Sequence, residues 1–244
     1  MLRAAARSAE DGGDYRGALR LVRQLPEDDE VARWRRQLEE VLRLPNAAPQ
    51  RATWLVHPAV RWALERAAGE ILERYARLLL VTLGVLGAER QSLLPLVAAS
   101  DEVVLDAGLF DAGLFARYLE EGLSPARRSP RGPMADWGVQ PPSVFRLEQA
   151  QGPVVMLSEL STQRQVRCLS WPSAARIPAG TLMFGRLLLV GGPVGRAFAL
   201  PPIRVDQRCA VRLGRTLQRG EGPEERLRAV ARFRRRDQQE RSAA

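Results

Sequence analysis

A chain of 244 residues with 45% hydrophobic and 27% charged residues has the apolar material for a sizeable core, and its mixed charges exclude global disorder. Its formal net charge of +9 directs it towards acidic partners, nucleic acid first among them. The absence of lysine and the presence of one histidine exclude P-loop, Schiff-base and kinase-type lysine chemistry, together with any multi-histidine metal site in one chain.

Arginine carries all of the basic side-chain charge. It stays protonated at any working pH and grips phosphate or carboxylate with two prongs; codon usage in a GC-rich genome would also replace lysine by arginine. Residues 2–11 read as a short helix, Gly12-Gly13-Asp14 as a turn, and Tyr15 to Leu25 as a second helix stopped by Pro26. The run Gly13-Asp14-Tyr15-Arg16-Gly17-Ala18-Leu19 resembles the turn of a tetratricopeptide repeat. That resemblance is confined to residues 2–26 and implies a helical hairpin in which Ala-Leu packs between the paired helices.

A third helix is expected over about Asp29 to Leu44, with Val31, Trp34, Leu38, Val41 and Leu42 at helical spacing. After the breaker Pro45 to Gln50, a long helix starts near Pro58, with a stripe through Val60, Leu64, Ala67, Ile71, Tyr75 and Leu78. Leu78 to Leu86 is too short to span a bilayer and reads as a buried helix. Another helix begins at Ser92, which places Pro95 in a first turn, where proline is tolerated. A tandem pentapeptide comes next, Asp106-Ala-Gly-Leu-Phe110 and Asp111-Ala-Gly-Leu-Phe115, whose Leu109, Phe110, Leu114 and Phe115 are core candidates. Asp111 is the expected N-cap of a helix reaching Glu121.

Residues 122–143, rich in Pro, Gly, Ser and Arg, form the expected linker. Beyond it the apolar period shortens to that of strands: Val144–Leu147, Val154–Leu157, Gln165–Leu169, Leu182–Val190 and Ala197–Leu200. The expected class is α+β: an α-helical domain over 1–121, the linker, and a small five-stranded antiparallel β-barrel of the SH3 or OB kind over 144–205. Basic helices over 206–244 close the barrel. The first of these helices runs from about Asp206 to Arg219, and the second begins at Pro223 with Glu224 and Glu225 in its first turn.

Nothing in the sequence assembles a catalytic apparatus, and the chain reads as a binding protein without cofactor. His57 lies in Trp54-Leu55-Val56-His57-Pro58 with no local nucleophile or acid and reads as structural. Cys168 and Cys209 form no metal or redox pair. Asp101, Asp106 and Asp111 recur every five residues; in an α-helix that spacing sets them on different faces, so helix capping is expected of them rather than metal binding. The glycines of Arg186 to Gly195 precede a strand, not a helix, and read as a hairpin turn.

The positive functional signal is charge placement. From Arg204 onward there are twelve arginines against six acids. Arg208, Arg212, Arg215 and Arg219 step by four, three and four, a single helical stripe opposite Ala210, Leu213 and Leu217. In the last helix Arg228, Arg232, Arg235 and Arg236 cluster away from Leu227, Val230 and Ala231. These eight arginines are the expected nucleic-acid-binding residues, with linker residues Arg127, Arg128 and Arg131 as an extension. Base readers stack on aromatics, for which only Phe145, Trp171, Phe184 and Phe198 are available. The alternative expectation is a protein-protein adaptor, its helical hairpins and barrel holding an acidic protein partner. The absence of an export signal or membrane span in the sequence predicts a cytoplasmic protein.

Overall fold

The structure is a computed structural model, and it describes residues 1–11, 15–43, 56–66, 69–122, 137–152, 154–171, 173–191 and 195–243. Ten α-helices and seven strands are present among them: α1 (Leu2–Asp11), α2 (Tyr15–Val22), α3 (Asp29–Arg43), α4 (Val56–Leu64), α5 (Gly69–Leu83), α6 (Gly87–Ser100), α7 (Glu102–Asp106) and α8 (Leu114–Arg117) precede the strands. The strands are β1 (Ser143–Gln151), β2 (Val154–Glu159), β3 (Gln165–Leu169), β4 (Leu182–Gly185), β5 (Leu187–Gly191), β6 (Gly195–Phe198) and β7 (Ile203–Val205). Helices α9 (Gln207–Gln218) and α10 (Pro223–Ala243) close the chain. None of the helices is long and apolar enough to cross a membrane.

The N-terminal helices pack Tyr15, Ala18, Val22, Val31, Trp34 and Leu38 into a small core of their own. The turn Gly12-Gly13-Asp14 lies outside the described residues. Glu10, fully buried on α1, accepts a hydrogen bond from the Trp34 indole (2.8 Å) and pairs with Arg61 (2.6 Å), which ties this hairpin to α4. The single helix expected from Pro58 is two, α4 and α5, broken before Gly69, whose N–H bonds back to the Arg66 carbonyl. The break rotates the apolar face, so α5 buries Leu72, Tyr75, Ala76, Leu79 and Leu80, while Leu64 is exposed. The helix expected at Ser92 starts earlier, at Gly87, which leaves Pro95 in the helix interior.

The strands do not close into an SH3- or OB-like barrel. Five of them form an open antiparallel sheet in the order β3-β2-β1-β4-β7, and β5 and β6 make a separate two-stranded sheet. The reason lies in the period-2 alternation. Along β4, Leu182 and Phe184 enter the core shared with the helices, whereas Met183 between them enters a second core. Val144 and Phe145 of β1 divide in the same way. That second core is capped by Leu187 and Phe198 of the β5–β6 hairpin. The hairpin faces both cores, because its Leu188, Val190 and Ala197 join the one shared with the helices. The run Leu182–Val190 is cut at Arg186, which belongs to neither strand.

The larger core takes residues from both sides of the expected linker. Leu72, Leu79, Phe115 and Tyr118 share it with Val144, Phe184, Leu188, Leu213, Leu227 and Val230. Helix α10 lies along α5, and α9 rests on β1 and β4. Of the linker, residues 123–136, with Arg127, Arg128 and Arg131, lie outside the described residues. Trp137 beyond them is fully buried, stacks on Phe115 (ring centroids 5.3 Å apart) and donates to the Leu189 carbonyl at 2.7 Å.

Candidate nucleic-acid interface

Helix α9 is fixed at its start by Asp206, which caps it by accepting a hydrogen bond from the Cys209 N–H at 2.6 Å. Cys209, Ala210, Leu213 and Thr216 are its buried residues, so the arginine stripe faces out. In α10, Leu227, Val230 and Ala231 are fully buried. A cleft of about 760 Å³ is lined by residues of both helices. Arg208, Arg212 and Arg215 line it from α9, Arg219 from the C-cap of that helix, and Arg232 and Arg236 from α10, against Glu221 and Glu225. Six of the eight expected arginines are thus brought together.

Their neighbours differ. Arg219 pairs with Glu221 at 3.5 Å and Arg236 with Asp206 at 3.2 Å, both at the surface, where ion pairs are weak. Among the described residues, no carboxylate pairs with Arg208, Arg212, Arg215 or Arg232. Arg228 and Arg235 lie apart from the cleft. Arg228 bonds to Glu225 and stands 3.8 Å from Glu224, and the Arg235 guanidinium covers Gly84 at the end of α5.

Aromatic stacking has no place here, since among the described residues no aromatic side chain lines the cleft. Phe145, Phe184 and Phe198 are buried, and the half-buried Trp171 packs edge-on to Phe198 at 5.3 Å. His57 stands in the first turn of α4, far in sequence from these helices. Burial pushes both cysteine thiols, Cys168 and Cys209, up to about 12, so neither is a thiolate at neutral pH. Among the described residues, no group of three His, Cys, Asp or Glu side chains is arranged to hold a metal.

The aspartates at five-residue spacing behave otherwise than an α-helix would have them. Asp101 does cap α7, accepting from the N–H groups of Val103 and Val104 at 3.0 and 3.3 Å, and it also pairs with Arg234 of α10. After Asp106 the chain widens into a π-turn over Ala107–Asp111, closed by the bond from the Ala112 N–H to the Ala107 carbonyl. Bonding at i+5 brings residues five apart towards one side, and Asp106 and Asp111 both reach Arg186. Arg186 donates to the two Asp106 oxygens at 2.9 and 3.0 Å, to Asp111 Oδ1 at 2.9 Å and to the Gln140 carbonyl. Arg226 of α10 pairs with the other oxygen of Asp111. Burial alone would lower the pKa of Arg186, but Asp106 and Asp111 outweigh it and raise the pKa above its ordinary value. Asp111 therefore ends a π-turn and is not a helix cap; the cap position of α8 is Gly113, at φ 75°. The sequence signal for this network was the repeat of aspartates itself, together with an arginine heading an apolar run.

No family model matches the chain, and no curated protein or solved structure matches it either.

Proposed function

We propose that this is a non-catalytic binding protein that holds nucleic acid by its phosphates in the cleft between α9 and α10. The observation that carries this reading is the convergence of six arginines from two helices on one concave surface, four of them without a carboxylate partner among the described residues. Guanidinium groups suit phosphate because their paired N–H donors match two of its oxygens. From Arg208 to Arg219 the stripe runs roughly 16 Å at the rise of an α-helix. One strand of B-form DNA presents about five phosphates over that length. A cleft lined chiefly by arginines, with no aromatic side chain among the described residues, reads charge and backbone, not sequence.

The reading is tested by fluorescence anisotropy on the full chain at low salt, with labelled oligo-dT, oligo-dA, single-stranded RNA and duplex DNA. Binding of each, with only small differences between oligo-dT and oligo-dA, is the expected result. Failure to retain any of them at low salt ends the proposal. An acidic protein partner would offer scattered carboxylates instead of a regular row of phosphates, and polyglutamate is accordingly expected to compete poorly.

A further inference from the structure

A second cleft of about 460 Å³ opens on the other flank of α9, between that helix and the sheet. Its walls are mainly apolar: Pro142, Val144 and Leu160 on the sheet side, Ala210, Val211 and Leu217 on the helix. Small-molecule sites have this size and character, a largely apolar concavity with a few polar groups that fix orientation.

Two further observations say what it would hold. Arg215 lines both this cleft and the arginine cleft, and among the described residues no carboxylate pairs with it. Gly214, next to it in mid-helix, also lines the cleft. Glycine weakens a helix relative to alanine, and here close packing gives no reason for it, because a Cβ at Gly214 would meet no atom within 4 Å. The missing side chain leaves the cleft open beside the charge. On the opposite wall, Glu159 accepts a hydrogen bond from the Thr162 hydroxyl at 2.6 Å. Its negative charge disfavours an acidic group at that end.

We infer that this cleft binds an amphipathic organic anion, a medium-length apolar chain lying between α9 and the sheet with its carboxylate on Arg215. Because Arg215 also belongs to the arginine cleft, such a ligand withdraws one cation from the phosphates and lowers nucleic-acid affinity. That second effect rests on the phosphate reading; the binding of the anion does not.

Isothermal titration of the full chain with dodecanoate, below its micelle concentration and without nucleic acid, tests the site. One saturable site is expected. Gly214→Leu places an apolar side chain on a Cβ position that meets no atom within 4 Å, adds helix propensity and keeps every arginine; it should weaken dodecanoate at least tenfold while circular dichroism stays unchanged. Arg215→Gln should weaken dodecanoate severalfold and leave dodecanol, which lacks the charge, unaffected. No saturable binding to the unmodified protein, or equal binding to Gly214→Leu, would overturn the inference. Oligonucleotide anisotropy repeated with dodecanoate present reads the coupling separately: affinity falls for the unmodified protein and holds for Gly214→Leu. An affinity for oligonucleotide that dodecanoate leaves unchanged would overturn the coupling.

Discussion

Burying a guanidinium costs several kcal/mol unless carboxylates and hydrogen bonds meet it, and removing one partner of such a pair is harsher than replacing both. Arg186, 2% exposed, is met on all sides by Asp106, Asp111 and the Gln140 carbonyl. Arg186→Met keeps the volume and leaves the carboxylates behind, so urea unfolding at neutral pH should show a loss of about 3–5 kcal/mol. The loss should shrink on acidification. Burial already pushes the Asp106 carboxyl above its ordinary range, against the pull of Arg186, and without the guanidinium it rises further. A raised folded-state value favours the protonated form, so the variant regains stability below that value and loses it as pH rises through it. A destabilisation independent of pH would contradict this assignment of charge. The sequence displayed these residues without displaying their meeting. Asp106 and Asp111 were visible as a repeat, but the α-helical period set them apart, and only the π-turn joins them. The two copies are not equivalent: Gly108 is pressed by Leu72, whose Cδ2 would lie 2.3 Å from an added Cβ, while Gly113 serves through its positive φ.

The helices that carry the arginine cleft were the most legible elements, because each begins and ends on local chemistry. Asp206 caps α9, Pro223 opens α10, and Gly220 between them adopts a positive φ of 64°. Elements whose limits are set by distant contacts were less legible. Leu182–Val190 reads as one strand until Arg186 is drawn out of it towards α7, and no local signal reports that pull. Pro95 is the converse case, a residue whose local preference is overridden. It lies exposed in the interior of α6, where it lacks an N–H for the Gln91 carbonyl and strains the turn before it. Proline there disfavours the helix by about 3 kcal/mol relative to alanine. Pro95→Ala is therefore expected to raise the thermal midpoint by several degrees, and an unchanged or lower midpoint would show that α6 draws no benefit from a regular ladder.

The largest core joins α4 to α8 with one set of sheet residues and with α9 and α10, so the shift from helical to strand periodicity near residue 122 marks a change of element and not of that core. Fragments covering residues 1–122 and 137–244 each lack half of that core. Each keeps one small core whole, around Trp34 in the first and Phe145 in the second, so expressed apart they should melt well below the intact chain, and mixed they should reassemble with a single transition; fragments that apart melt as high as the intact chain would contradict the shared core. On this frame α9 stands between two clefts, one basic and one apolar, and the distribution of arginines on it supplies a matched comparison. Arg212 and Arg215 line the basic cleft, whereas Arg228 and Arg235 carry the same charge outside it. The most direct measurement is therefore the dependence of oligonucleotide affinity on salt for the unmodified protein, for Arg212→Gln with Arg215→Gln, and for Arg228→Gln with Arg235→Gln. Removing one arginine–phosphate pair should reduce the slope of log affinity against log salt by about one. A slope reduced by about two in the first double variant and nearly unchanged in the second is the predicted result, and an equal reduction in both would show that net charge alone, not the cleft, holds the nucleic acid.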